Sequence, residues 1–147
     1  MIQEKSCGAV VFVRQGSQIK YLLLGYSTHY WGFVKGGMEP NESEKETVIR
    51  ELKEETSICG AHFNNGFRES IEFFYNRRGI TIHKVVVFYL MEVYSEKVEL
   101  SFEHKAYIWL DYYDALKKLS FNNNKSVLDK AHIFLMAKVA EKEGSAF

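Results

Sequence analysis

Apolar residues cluster in short stretches that have the character of β-strands. Residues 6–13 and 20–25 are rich in aliphatic side chains, and Gly16 lies between them, where it can supply the turn of a hairpin. Residues 67–75 and 80–94 are similar, and the dense valines of the second stretch indicate a strand buried on both faces. The pattern therefore predicts two pairs of strands.

Residues 44–56 are good helix formers and follow a loop that contains the single proline of the chain. Asn41 or Ser43 could cap the start of this helix. Its apolar residues recur at helical spacing, so one side of the helix should pack against the rest of the protein. This stripe consists of Val48, Ile49 and Leu52.

The last third of the chain predicts one more strand, at residues 106–110, and two more helices. Asp111 can cap a short helix, and residues 126–143 form a longer amphipathic one. The apolar face of that last helix consists of Val127, Leu128, Ala131, Phe134, Leu135 and Val139. Strands interleaved with helices predict an α/β domain with a mixed sheet covered by helices on both faces.

Length and composition narrow the class of protein. The 147 residues suit one domain, which we place at residues 1–147, and 19 basic residues balance 19 acidic ones, so no global charge favours nucleic acid or membrane. The longest apolar run, residues 85–91, is far shorter than the roughly 20 residues of a membrane helix. Cys7 and Cys59 form no disulfide framework and are expected to be small core residues. We expect a cytoplasmic protein with no membrane contact.

Three carboxylates lie on one face of the helix at residues 44–56. Glu51, Glu54 and Glu55 are spaced i, i+3 and i+4, which brings them together within one turn. One interpretation is an ordinary ladder of ion pairs that also uses Glu46 and Arg50. The other is a site for Mg²⁺ or Mn²⁺, since these ions prefer carboxylate and water ligands.

The loop before this helix favours the second interpretation. Lys35 precedes Gly36 and Gly37, which gives a cation beside a backbone that can approach a phosphate closely. The spacing from this loop through the helix resembles the Nudix hydrolase signature, G-x5-E-x7-R-E-U-x-E-E-x-G-U, where U is a bulky aliphatic residue. Eight of the nine specified positions match; Ser57 stands where the family has glycine. The matching residues are Gly36, Glu42, Arg50, Glu51, Leu52, Glu54, Glu55 and Ile58.

This resemblance implies a Nudix-type α/β/α sandwich and metal-dependent hydrolysis of a nucleoside diphosphate derivative. It implies that the metal ligands are Gly36, Glu51, Glu54 and Glu55, and that Arg50 fixes the carboxylates. Either Glu54 or Glu51 would be the general base, and the resemblance leaves that choice open. The left-handed conformation that the motif glycine adopts would cost Ser57 on the order of 1 kcal/mol.

Further segments lie outside the signature or overlap it: EKSCGAVVF at residues 4–12, YLLLG at 21–25, WGFVKGGMEPNES at 31–43, KVV at 84–86, SFEHKAYIWL at 101–110 and DALKKLSF at 114–121. With them, nearly the whole chain resembles the Nudix hydrolases that split dinucleoside tetraphosphates asymmetrically into a triphosphate and a monophosphate. This resemblance implies that Glu103 is a further metal ligand. It implies that the phosphates are bound by residues in the loop and strands. These residues are His29, Lys35, Gly37 and Lys84.

Aromatic side chains are expected to stack on the adenine, and the candidates are Phe121 and either Tyr75 or Phe74. Other rings and imidazoles are assigned differently. Trp31, Phe33 and Trp109 are expected to pack in the core, and His62 and His132 to be structural. His83 and His104 adjoin Lys84 and Glu103, so they either polarise the site or face solvent.

Several alternatives remain open at this point. The substrate could instead be triphosphorylated RNA or a single nucleoside triphosphate, although Arg77 and Arg78 form only a small basic patch. A Nudix module that binds nucleotides without catalysis is another class, as is a purely structural domain with an acidic helix. We expect a small-molecule nucleotide substrate, Mg²⁺ or Mn²⁺ as cofactor, and a monomer or weak homodimer.

Overall fold

The computed structural model describes residues 1–27, 29–102, 104 and 106–145. Within these residues, four strands precede the first helix, four more follow it, and two helices come last. The strands are β1 (Ile2–Gln15), β2 (Gln18–Ser27), β3 (Tyr30–Gly32), β4 (Val34–Gly37), β5 (His62–Phe63), β6 (Glu69–Arg77), β7 (Ile80–Val93) and β8 (Ala106–Leu110). The helices are α1 (Glu44–Thr56), α2 (Tyr112–Lys118) and α3 (Asn122–Ser145).

All of these strands belong to one mixed sheet. Its centre is the parallel pair β1 and β7, whose register runs from Ile2 opposite Ile82 to Val13 opposite Val93. Strands β2 and β4 pair antiparallel with β1, and β5 and β6 pair antiparallel with β7. Strands β3 and β8 extend the sheet from β2. The predicted hairpin and the long paired strands are therefore present.

The two faces of the sheet are covered by different helices. Alternate residues of β1 point to opposite sides, so Val10 and Phe12 belong to one buried cluster and Val11 and Val13 to the other. Helices α2 and α3 cover the first face, and α1 covers the second. This arrangement confirms the predicted α/β/α sandwich. No described helix is both long enough and apolar enough to cross a membrane.

Two predictions about the core were wrong. Ile49 does not share the buried stripe of α1: its neighbours Val48 and Leu52 face the sheet, whereas Ile49 is 53% exposed. Residues i and i+4 lie on one face, and a residue one position on is rotated by about 100° away from it. Cys59 is exposed in the turn after α1, whereas Cys7 is buried as expected.

The sequence prediction also missed short strand β4. Residues 35–37 were expected to be loop, yet residues 34–37 pair with β1, with Gly36 opposite Cys7 and Lys35 opposite Gly8. Gly8 has no room for a side chain, since a Cβ there would lie 2.2 Å from the carbonyl oxygen of Val34. The glycine loop is thus held rigidly against the centre of the sheet and beneath α1.

Candidate active site

Both ends of α1 are fixed by local hydrogen bonds. At its start, the Ser43 hydroxyl accepts from the Glu46 amide and the Glu46 carboxylate accepts from the Ser43 amide, so Ser43 rather than Asn41 is the N-cap. At its end, Ser57 adopts the left-handed conformation, with φ 61°, and its amide donates to the carbonyl of Lys53. A serine therefore takes the backbone conformation that favours glycine at this position of the signature.

Gly36 and Glu51 fit against each other. The Glu51 carboxylate occupies the space beside Gly36, because a Cβ built on Gly36 would lie 1.9 Å from the carboxylate carbon. Real Cβ contacts are never this short, and the neighbour here is a side chain held by an arginine. The glycine of the signature is thus required sterically, as the cradle for a carboxylate.

Arg50 is the centre of an ion-pair network that joins α1 to the glycine loop. Its Nε lies 2.7 Å from Oε2 of Glu42, and one of its terminal nitrogens lies 2.8 Å from the carbonyl oxygen of Gly37. The other terminal nitrogen lies 2.8 Å from Glu51 and 3.3 Å from Glu54. The structure thus places Gly37 in contact with the arginine through its carbonyl. Arg50 therefore links the Glu51 carboxylate to Glu42 and to the glycine loop.

Glu42, which had no expected role, is the anchor of this network. Its carboxylate accepts from Arg50, from the Glu39 amide at 3.0 Å and from the Thr47 hydroxyl at 2.6 Å. These hydrogen bonds, and above all those from Arg50, lower the pKa of Glu42 from 4.5 to about 2. The signal for this role was present in the sequence, since Glu42 is a specified position of the signature.

Substitution Glu42→Gln is expected to make the protein less stable at pH 7 and to change its response to acid. Because the folded pKa of Glu42 is depressed, the carboxylate stabilises the fold fully above pH 4.5 and loses this effect as the pH falls towards 2. The melting temperature of the variant should therefore lie below that of the wild type at pH 7, and the gap should narrow between pH 4.5 and 2. Thermal unfolding followed by circular dichroism checks this, and a gap that widens in acid contradicts it.

Glu51 and Glu55 form a buried pair of carboxylates. The side chains of Glu51 and Glu55 are only 12% and 8% exposed, and Glu55 is close enough to affect the pKa of Glu51. Burial raises the pKa of Glu51, against the opposite effect of Arg50. Glu54, by contrast, is 58% exposed and turns towards Arg50. Glu51 therefore lies beside Gly36 with Glu55 near it, and the third carboxylate lies at the rim in solvent.

This donor set fits a hard divalent cation. Buried, mutually adjacent carboxylates are costly without a compensating positive charge, and oxygen donors are the ligands that Mg²⁺ and Mn²⁺ take. No cluster of three or more ligating side chains is already assembled in the part of the chain that the structure describes. Glu103, the expected further ligand, lies outside the described residues.

His104 is a buried neighbour of this pair. Its Nε2 lies 3.3 Å from Oε1 of Glu55, and its side chain is 3% exposed. Its ring also meets Tyr26 edge-on at 4.7 Å between centroids. His83 differs: it lies 2.8 Å from Glu72 and stacks on Phe74. Of the two histidines whose roles were open, the structure thus brings only His104 to the carboxylates.

A cavity of about 360 Å³ opens on the α3 side of the sheet, next to β4. Lys35 lines it, and burial lowers the pKa of this lysine against the attraction of Glu55. Lys84 lies opposite Phe73 in the sheet, and burial together with the charge of Lys35 lowers its pKa. The other lining residues are Tyr30, Ile71, Phe73, Phe121, Asn122, Asn123 and Asn124.

Of the aromatic candidates, Phe121 lines this cavity and Phe74 does not. Phe74 lies on the other face of β6, stacked on His83 at 4.6 Å, because neighbouring residues of a strand point to opposite faces. Its neighbour Phe73 takes the position in the cavity. Tyr75 shares the face of Phe73, and its hydroxyl donates to Glu4 at 2.6 Å.

His29 lies at the edge of this region. It is exposed, and its carbonyl oxygen accepts a hydrogen bond from Ser120, which also receives the amide of Trp31. No pattern in the sequence indicated that Tyr30, Phe73 and the three consecutive asparagines would line the cavity. Which of Phe73 and Phe74 faces the cavity is decided by the register of the strand, which the sequence alone does not give.

The model of the NUDIX domain family matches residues 3–131. The chain belongs to the NUDIX family. Its match spans the sheet, α1 with its carboxylates, and the first turns of α3. The eight signature positions therefore sit in a NUDIX domain and in the geometry described above.

Proteins similar to this NUDIX chain align with it over nearly its whole length. The bis(5'-nucleosyl)-tetraphosphatase [asymmetrical] of Mus musculus is 33% identical and is aligned over 92% of this chain and 98% of its own. Among solved structures, the binary complex of the Caenorhabditis elegans Ap4A hydrolase has a TM-score of 0.80 at 31% identity and covers 91% of this chain and 98% of its own. The dihydroneopterin triphosphate pyrophosphohydrolase of E. coli has a TM-score of 0.70 at 19% identity, with 88% and 97% covered, and shares the fold.

Proposed function

We propose that the protein hydrolyses diadenosine tetraphosphate asymmetrically, to ATP and AMP, with Mg²⁺ or Mn²⁺ as its cofactor. The observation that carries the proposal is the position of Lys35. This lysine lines the aromatic cavity, and the charge of Glu55 also acts on its pKa, so the base site and the phosphate site lie near one of the buried carboxylates. The names of the relatives described above support the same substrate.

The roles of the charged residues follow from their positions. Glu51 and Glu55, with Glu54, would hold the cation, which offsets phosphate charge and acidifies a bound water when present. Lys35 and Lys84 would bind the phosphate oxygens, because both lie on the cavity side of the sheet. Arg50 keeps Glu51 and the Gly37 carbonyl in place.

Of the two candidates for general base, we favour Glu54. Glu51 is held by Arg50 at 2.8 Å and is enclosed by Gly36, which leaves it little freedom to accept a proton from a water molecule. Glu54 is 58% exposed and borders the same site. A base must reach the attacking water, and the more accessible carboxylate suits that role.

The cavity suits a nucleobase. Phe73, Phe121 and Tyr30 offer ring surfaces, and stacking on an aromatic side chain is worth about 1 to 3 kcal/mol per base. The side-chain amides of Asn122 and Asn123 lie in the same lining and offer donors and acceptors to the edge of the base. Asn124 is buried and hydrogen-bonds Tyr30, which holds that ring in the wall.

The proposal is tested by product analysis with Mg²⁺ and three substrates in parallel: diadenosine tetraphosphate, a triphosphorylated RNA and the common nucleoside triphosphates. We expect ATP and AMP in equal amounts from the dinucleotide, and none from the Glu55→Gln variant. Release of pyrophosphate from the RNA or from a single nucleotide would contradict the proposed substrate and indicate that the protein acts on that other substrate. No turnover of any of them would support the binding-module alternative.

Substitution Phe121→Ala is expected to raise KM for diadenosine tetraphosphate by about 10-fold while changing kcat little, because it removes one stacking surface from the base site. Phe74→Ala is a matched control: the two phenylalanines are 55% and 59% exposed, and Phe74 lies on the opposite face of the sheet. Steady-state kinetics of both variants measure the difference. Equal effects of the two substitutions would exclude Phe121 from base binding.

A further inference from the structure

The segment that follows β7 is tied by its backbone to the end of α1. The amide of Glu99 donates to the carbonyl of Thr56 at 3.0 Å, and the amide of Ser101 donates to the carbonyl of Glu55 at 3.1 Å. The Ser57 hydroxyl donates to the carbonyl of Glu99 at 3.1 Å. These bonds fix the segment against the same helical turn that carries the buried carboxylates.

His104 is placed by this anchored segment. Its amide donates to the carbonyl of Ser101 at 3.3 Å, so the residue that bonds Glu55 through its backbone also positions the histidine. The imidazole is then enclosed on two sides. Glu55 Oε1 lies 3.3 Å from Nε2, and Tyr26 meets the ring edge-on at an interplanar angle of 86°.

Tyr26 makes the wall behind the imidazole rigid. It lies on β2, its hydroxyl donates to the carbonyl of Phe33, and its ring contacts Tyr30 at 4.9 Å between centroids. Tyr30 contacts Phe121 at 5.0 Å in turn. The imidazole therefore cannot move away from Glu55 without disturbing a set of packed rings that reaches the base cavity.

We propose that His104 is a positioning residue for the Glu55 carboxylate and thereby for the divalent cation. The imidazole Nε2 lies 3.3 Å from Oε1, and Glu51 is a neighbour of the same carboxyl group. The Glu55 side chain has three rotatable dihedrals and could otherwise adopt several rotamers, and a group that orients a ligand raises its affinity for a metal. This inference rests on the proposed role of Glu55 as a metal ligand.

The experiment measures Mn²⁺ binding to metal-free protein by isothermal titration calorimetry, without substrate. His104→Phe keeps a ring of similar size but removes both nitrogens, and we expect it to weaken Mn²⁺ binding by about 10- to 100-fold. His104→Gln returns a side-chain nitrogen near the place of Nε2 and should recover most of the affinity. His62→Phe, at an exposed histidine outside the site, is the matched control and should bind as the wild type does.

Circular dichroism and thermal unfolding show whether each variant is folded. A folded His104→Phe variant that binds Mn²⁺ as tightly as the wild type overturns the inference, as does a His104→Gln variant that is no better than His104→Phe. If His104→Phe does not fold, the comparison of His104→Gln with the wild type decides, and a loss above 10-fold there counts against the inference. A wild-type protein that binds no Mn²⁺ instead contradicts the proposed metal centre itself.

Discussion

Replacing Glu51 with glutamine is expected to lower kcat for diadenosine tetraphosphate by at least about 10³-fold. Glu51 is the carboxylate that lies against Gly36, is held by Arg50 and neighbours Glu55, so its charge cannot be supplied by another residue without rearrangement. A loss of roughly 4 kcal/mol of transition-state stabilisation corresponds to this factor, and metal-assisted charge stabilisation has that size. Steady-state kinetics at saturating Mg²⁺ measure it.

The same substitution should have the opposite effect on the stability of the metal-free protein. Burial raises the pKa of Glu51, so its ionised form is disfavoured in the fold, and a neutral side chain of the same shape relieves that cost at pH 7. Thermal unfolding should show a melting temperature no lower than that of the wild type without metal. Addition of Mn²⁺ should then raise the melting temperature of the wild type only.

The control for this pair of measurements is Glu141→Gln, at an exposed residue of α3. It should leave kcat and the response to Mn²⁺ unchanged. A Glu51→Gln variant that keeps kcat within tenfold of the wild type would show that Glu51 is structural and would remove it from the proposed metal centre.

Substitution Gly36→Ala is expected to reduce kcat by about 10²-fold or more while leaving the fold in place. The new methyl group would occupy the position of the Glu51 carboxylate, 1.9 Å from its carboxyl carbon, so the side chain of Glu51 must leave the site. A displacement of this size removes an oriented ligand, and a misplacement near 1 Å costs about 10²-fold in rate. Kinetics and Mn²⁺ titration of the variant measure both consequences.

The neighbouring glycine provides a matched comparison. A Cβ on Gly37 meets no heavy atom within 4 Å, so Gly37→Ala makes the same chemical change one residue away without the collision. We expect its activity to stay within about threefold of the wild type. Equal losses in the two variants would mean that the loop needs the flexibility of glycine rather than the space beside Gly36.

The sequence predicted the layers of the fold because its long elements are strongly patterned. The valines of β7, the apolar stripe of α1 and the amphipathic α3 each have a period that one secondary structure satisfies. Strands β3, β4 and β5 have two to four residues, too few for a period to emerge. They form because longer strands beside them offer hydrogen bonds, which is information that a local pattern does not carry.

The candidate site also combines features that the sequence predicted with features that depend on the fold. The carboxylates and Arg50 were predictable, since the helix fixes which residues share a face. The cradle at Gly36, the contact of His104 with Glu55 and the choice of Phe73 over Phe74 depend on how distant segments meet. Lys35 belongs to both groups, because its residue type was recognised but its place in the cavity wall required the register of β4 on β1.

The parallel pairing of β1 with β7 has a consequence for how the protein is made. Residues 2–13 of β1 each pair with a residue 80 positions later, so the centre of the sheet cannot close on the ribosome until β7 has been synthesised. The glycine loop and α1, residues 34–56, are complete well before that point but rest on β1 and β4. Residues 34–56 are therefore synthesised before β7, the strand that completes the centre of the sheet on which they pack.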